Sequence, residues 1–275
     1  MLMYPKLDPV AFSIGSIKVH WYGIMYMLGF LFFVYGGKYR LKKYGHSVLT
    51  YRLIDDFIFY GAMGVIIGGR LGYCLFYQPI YFFHNPLDIF KVWHGGMSFH
   101  GGMLGVFVGI YIFARKINST FFILSDFVAP LIPLDLFFGR IGNFINGELI
   151  GRVVTSNLPW AMVYPQSGSM LPRHPSELYE ALGEGIILTI ILWIYASKPR
   201  KTGQTSGMFL LCYGCIRFFL EYFREPDAFL VDVVKTTGLS MGQWLCVPMI
   251  VVGLIMYAVA TKKSTFPPVN FPVAK

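Results

Sequence analysis

The chain has 275 residues, a formal net charge of +9 and a mean hydropathy of +0.57. Hydrophobic residues make up 55% and charged residues 13%, against roughly 25% charged in an ordinary soluble domain. So little charge cannot cover a soluble globule, and so much apolar residue excludes intrinsic disorder; the composition is that of an all-α, multi-spanning membrane protein. Its basic excess is therefore tested against membrane topology before any acidic partner, and no nucleic acid is expected.

Seven apolar runs approach the length of a membrane span: 20–37, 57–76, 98–114, 121–138, 176–196, 207–223 and 242–260. Several are short for a core of about 30 Å, so kinks or added flanking turns are expected. The first run lacks a basic segment before it and a small-residue exit after it, and reads as a retained helix. Lys and Arg in alternate connections divide 8 against 13. The richer side faces the cytoplasm, which puts the N-terminus outside and the C-terminus inside. Residues 1–260 then form one polytopic membrane domain in which 139–175, rich in Gly, Asn, Ser and Pro, makes an external head. The Lys- and Pro-rich stretch 261–275 reads as a disordered cytoplasmic tail. Cys74, Cys212, Cys215 and Cys246 all sit in apolar runs and give no disulfide framework.

Ionisable residues inside spans are costly and are functional candidates by default. Asp55, Asp56 and Asp126 fall at cytoplasmic helix starts, where the dipole favours a carboxylate. The others share one level, that of the outer leaflet: His20, Tyr22, Arg70, His100, Arg140, Glu177, Glu180, Arg217, Glu221 and Arg224. His100 lies within the glycine-rich stretch 95–102, whose backbone N–H groups are placed to receive an anion at a helix start. Gly101, Gly105 and Gly109, like Gly64 and Gly68, have the spacing of close helix packing. The histidines show no metal-ligand spacing, and Cys212-Tyr213-Gly214-Cys215 has no partner for metal or redox work.

The strongest local pattern is 139–152, Gly-Arg-Ile-Gly-Asn-Phe-Ile-Asn-Gly-Glu-Leu-Ile-Gly-Arg. Two guanidiniums, two amides and a carboxylate punctuate glycine-rich backbone at the end of an apolar helix. Arginine presents a planar fork that fits phosphate and keeps its proton. Arg140 and Arg217, at one depth, suit a lipid phosphate, whereas a single Arg–Glu pair would equally well hold helices together.

This segment fits G-R-x-G/A-N-F-x-N-x-E-x-x-G at every fixed position. With His20–Gly23, 95–102, Arg173–Glu180, 221–227 and 240–243 in order, residues 8–257 resemble the bacterial prolipoprotein diacylglyceryl transferases. The resemblance implies seven helices in the plasma (inner) membrane, an outside N-terminus and an active site facing the outer leaflet. It implies transfer of the diacylglyceryl group of phosphatidylglycerol to the lipobox cysteine thiol of a prolipoprotein signal peptide. A thioether forms, glycerol-1-phosphate leaves, and neither cofactor nor metal takes part. His100 would then be the base for the thiol. Arg140 and Arg217 would take the phosphate charge, with Asn143, Asn146 and the backbone at Gly151 beside them. Glu148 and Glu221 would hold the arginines, and Tyr22 would position lipid or thiol. Asp135 departs from the family pattern, where a small or apolar residue is expected. The competing reading is a multi-spanning lipid-binding or transport protein without transfer chemistry.

Overall fold

The computed structural model describes residues 2–15, 17–92, 95–155, 157–226, 234 and 236–262. The expected tail lies outside them from residue 263 onward, as do His94, Asp227 and Lys235. In chain order the elements are β1 (Leu2–Met3), β2 (Val10–Ile14), β3 (Ile17–His20), α1 (Trp21–Tyr44), α2 (Tyr51–Phe76), α3 (Pro79–His84), α4 (Phe99–Lys116), α5 (Phe121–Val128) and α6 (Ile132–Asn146). Then follow β4 (Met162–Val163), β5 (Pro172–Arg173), α7 (Ser176–Glu180), a wide π turn (Ala181–Ile187), α8 (Leu188–Tyr195), α9 (Gln204–Leu220) and a last helix, Met241–Lys262.

All seven apolar runs are helical, and their ends show what extends or breaks a helix. α1 continues past its apolar part through Lys38, Arg40, Lys42 and Lys43, good helix formers whose charge suits a C-terminal turn. The run 121–138 is instead two helices, α5 and α6, bent by 52°. Pro130 lies in the break and Pro133 in the first turn of α6; each lacks an N–H and crowds the preceding turn. The indole of Trp193 donates to the Pro130 carbonyl there at 2.7 Å. Among the described residues, five short strands add to the all-helical expectation. β1 pairs in parallel with β4, which pairs antiparallel with β5, while β2 and β3 form a hairpin.

Among the described residues, Tyr51–Phe76, Ser176–Tyr195 and Met241–Lys262 are long and apolar enough to cross a bilayer, and the bent α5–α6 pair is a fourth if it makes one span. Large apolar side chains such as Phe59, Leu75, Val251 and Ile255 stand exposed on these helices, as lipid-facing surface requires. The chain is thus a mostly helical membrane protein.

The described residues form two compact units, one of Lys38–Ser125 and one of the residues before Lys38 together with those from Asp126 onward. In the Lys38–Ser125 unit, α2 and α4 meet at glycines. A Cβ on Gly72 would lie 2.8 Å from the Gly101 Cα, and one on Gly68 2.7 Å from the Gly105 Cα. That is the packing role the glycine spacing predicted. Arg70, buried on α2, spends its guanidinium on backbone: Nε donates to Ile89 at 2.9 Å, Nη2 to Asp88 at 2.7 Å and Nη1 to Gly95 and Gly96 at 2.5 and 3.2 Å. It clamps the α2–α4 connection. The anion-binding expectation for 95–102 also weakens, because Ser98 Oγ caps the Gly101 N–H at 3.2 Å and the Gly102 N–H returns to the Ser98 carbonyl at 2.9 Å. Asp55 and Asp56 pair with Lys38 and Lys116 at 2.7 and 3.2 Å.

His46, between α1 and α2, accepts the N–H groups of Val48 and Leu49 at Nδ1, at 3.2 and 3.0 Å. A nitrogen that accepts cannot carry a proton, and burial lowers this imidazole to about 4. The folded form thus binds the proton less well than the unfolded form, so stability is full above about pH 6.5 and is lost as pH falls toward 4. Thermal unfolding in detergent should register a loss approaching ~3 kcal/mol over that window. His46→Asn, whose Oδ1 replaces the accepting nitrogen, should flatten this slope; an unchanged slope would move the effect to another group.

Candidate active site

Three helices of the larger unit bring guanidiniums and carboxylates to one place. Arg140 projects from α6 and Arg217 from the last turn of α9. Glu180 ends α7, and Glu184 sits inside the π turn that follows. Arg140 lies 2.9 Å from Glu180 Oε2 and 3.0 Å from Glu184 Oε2. Arg217 Nη1 donates to Glu180 Oε1 and, at 3.0 Å, to Glu184 Oε1, while Nη2 donates to Glu221. Each of the two glutamates therefore touches both arginines. Arg224 lies 3.7 Å from Glu180 and completes three cations against three carboxylates. Glu180 and Glu184 have no exposure, whereas the Arg140 and Arg217 side chains keep 17% and 11%.

Local sequence explains how α6 and α9 reach the same carboxylates. Glu184 stands between Gly183 and Gly185. A Cβ on Gly183 would lie 2.8 Å from Leu220, and one on Gly185 2.5 Å from Phe137. Side chains there would hold α9 and α6 apart. The π turn adds one residue to the helical repeat, a local rearrangement frequent at functional sites. Glu221 is fixed in turn: Ser240 Oγ donates to its Oε1 at 3.0 Å, and Ser240 exchanges hydrogen bonds with Gln243. Tyr213, one helical turn before Arg217, lies within electrostatic reach of both guanidiniums and Glu184.

The signature segment builds a second cluster next to the first. α6 ends at Gly147 in the left-handed region, φ +67°, a usual way to stop a helix. Asn143 and Asn146 donate to Glu148 Oε1 at 2.8 and 3.3 Å. Glu148 thus holds the two amides, which corrects the expectation that it holds an arginine; Glu180 and Glu184 do that work. Tyr22 packs on Gly142, where a Cβ would lie 2.8 Å from its ring, and its hydroxyl is 3.1 Å from that of Tyr26. His100 lies in the Lys38–Ser125 unit, exposed in the first turn of α4 against the Phe99 ring.

Beyond Gly147 the chain closes on itself. The Gly151 N–H donates to the His174 carbonyl at 3.1 Å, and Gly151 bridges Arg224 as an isolated strand pair. Arg152 Nε donates to the Arg224 carbonyl, and Arg173 to Gly151 and Glu225. Tyr4 donates to the last α6 carbonyls, Phe144 and Ile145, at 2.6 and 2.9 Å and stacks on Tyr164, which donates to Glu177. Burial and the neighbouring Glu177 hold both phenols above the usual range, so both remain hydrogen-bond donors. His174 is lowered by burial and packs between Tyr179 and Phe223.

A sequence model of the family "Prolipoprotein diacylglyceryl transferase" matches residues 9–259. The chain belongs to this family. It is 54% identical over 268 residues to the phosphatidylglycerol–prolipoprotein diacylglyceryl transferase of Bordetella avium, covering 98% of this chain and all of that one. The enzyme of the same name from Polynucleobacter necessarius is 54% identical over 96% of this chain and all of its own length. That from Chromobacterium violaceum is 53% identical over 93% of this chain and 96% of its own.

Within a member of this family the two clusters sort the expected site residues. Arg140, Arg217 and Glu221 come together, and so do Asn143, Asn146 and Glu148. Gly151 serves a three-way backbone junction. Glu184 is the residue missed, although Glu177, Glu180 and Glu184 recur at the i, i+3, i+7 spacing of one helix face. Asp126 is not an ordinary dipole partner of its own helix. It accepts from Gly203 N, Ser206 N and Ser206 Oγ at 2.6 to 2.7 Å and so caps α9. Asp135 packs on Gly29 of α1, and its Oδ1 is buried with no hydrogen bond among the described residues.

A Cβ on Gly151 would lie 2.7 Å from the Phe223 carbonyl and 2.9 Å from the His174 Cβ. Gly151→Ala should therefore cost ~2 kcal/mol or more through overpacking. Limited proteolysis should reveal this as faster cleavage within 147–175 than in the parent.

Proposed function

We propose that Arg140 and Arg217 form the phosphate site of an enzyme that transfers the diacylglyceryl group of phosphatidylglycerol to a prolipoprotein. The observation that carries this reading is the pair of neighbouring guanidiniums, held on shared buried carboxylates, in a chain of this family. The acceptor is the thiol of a lipobox cysteine. Sulfur attacks the saturated glycerol carbon next to the phosphate oxygen, the C–O bond breaks, and glycerol-1-phosphate leaves. The charge to be stabilised develops on phosphate oxygens, where preorganised donors act most strongly. Two fixed guanidinium forks supply such donors, with Asn143 and Asn146 held beside them by Glu148. Glu221 fixes Arg217, Tyr22 positions lipid or thiol, and Gly151 keeps the backbone behind the site closed.

A thiol of pKa about 8.5 is only a few per cent ionised at neutral pH. His100 is assigned as the base that takes its proton. The excess of Lys and Arg on one set of connections supports seven spans with the N-terminus outside and residues 1–260 as one membrane domain. The segment 139–175 is then an external head, and the site opens to the outer leaflet of the bacterial inner membrane.

Purified protein, vesicles of labelled phosphatidylglycerol and a lipobox peptide should yield thioether product and free glycerol phosphate. Arg140→Ala should lower that rate by about 10²-fold or more while the protein still inserts in membranes. Full transfer by this variant would remove the phosphate assignment. His100→Gln should lose about 10²–10⁴-fold at neutral pH and recover as the peptide thiol ionises at alkaline pH. A loss equal at every pH would remove the base role.

A further inference from the structure

The ion pairs of the Arg140–Arg217 cluster already balance in charge without substrate. Arg140, Arg217 and Arg224 face Glu180, Glu184 and Glu221, and Glu180 and Glu184 are fully buried. A phosphodiester adds one negative charge. In a water-poor site an unbalanced charge is expensive, and the nearest remedy is a proton on a carboxylate. Glu180 and Glu184 are placed for it, since both approach the same Nη1 of Arg217. We infer that the Glu180–Glu184 pair takes up one proton when the lipid phosphate binds, freeing guanidinium donors that its carboxylates hold in the empty site.

The groups facing the pair are Arg140 on α6, Arg217, Tyr213 and Glu221 on or ending α9, Arg224 beyond it, Cys246 on the last helix and Glu177 on α7 itself. Only carboxylates among them neutralise added negative charge by gaining a proton; Glu221 is engaged by Ser240 as well as by Arg217, and Glu177 accepts from Tyr164 and makes no ion pair with an arginine among the described residues. During transfer the S–C bond forms as the C–O bond breaks, and the electron pair passes to the phosphate oxygen. The stored proton follows it. Glycerol phosphate leaves as a monoanion, and the carboxylate re-forms its pair with the arginines.

This inference rests on Arg140 and Arg217 binding the phosphate, and the test separates the two. Full-length protein in phosphatidylcholine nanodiscs is titrated with a short-chain dialkyl-ether phosphatidylglycerol, which has no ester carbonyl. Calorimetry in two buffers of different ionisation enthalpy should give about one proton taken up per lipid bound. The Kd should rise by up to tenfold per pH unit over the range in which uptake occurs. Infrared difference spectra should gain the C=O stretch of a protonated carboxyl, shifted in D₂O. Glu180→Gln or Glu184→Gln should lower the uptake and flatten the pH dependence. Binding by the parent protein without proton uptake or a new carboxyl band overturns the inference, as does uptake unchanged in both variants. Lipid binding that Arg140→Ala leaves intact would instead overturn the phosphate assignment beneath it.

Discussion

Charged groups carried by apolar helices must neutralise one another before those helices can pack. Each ion taken from water costs several kcal/mol, and only close, well-directed partners repay it. Arg140 and Arg217 meet that condition by sharing Glu180 and Glu184, so that α6, α7 and α9 converge on one charge-balanced knot. Such a knot is a poor stabiliser, because apolar side chains of similar volume would hold the helices as well or better. It keeps two guanidinium forks fixed on shared buried carboxylates.

The knot in turn needs backbones closer than ordinary side chains allow. Gly183 and Gly185 admit α9 and α6 on either side of Glu184, and Gly242 lets the last helix pass where a Cβ would lie 2.6 Å from Glu221 Oε1. Close approach shortens the reach of the carboxylates and so fixes their direction. It also leaves few positions where a larger residue is harmless.

Much of this was legible in the residues. Composition gave the membrane class, the apolar runs gave every long helix, and the 139–152 pattern located Arg140, Asn143, Asn146 and Glu148. Glu221 as a holder of Arg217 was expected from the family resemblance, and the pair forms four residues apart. Partner choice was less legible, because it depends on rotations about helix axes. Glu148 lies closer in sequence to Arg140 than Glu184 does, yet the left-handed Gly147 turns it back toward the asparagines. Glu184 faces the arginines in a π turn, a rearrangement that no local propensity announces. The strand β1 was invisible for a related reason: two residues pair with β4 across some 160 positions of chain, and nothing local marks them.

The depth of each guanidinium is set by how the ends of its helix are held. Asp126 accepts three hydrogen bonds at the start of α9, and the Ser240–Gln243 pair engages Glu221 and the Phe218 carbonyl at its end. With both ends tied, 17 residues at about 1.5 Å each leave Arg217 no freedom to slide along the axis. α6 is treated alike, with Pro133 shaping its first turn and Tyr4 satisfying its last carbonyls. A buried ion pair is favourable only at the right distance, so the polar groups at these helix ends are part of the same device as the arginines. This also accounts for Asp126, which is buried and accepts three hydrogen bonds: it fixes the start of the helix that carries Arg217.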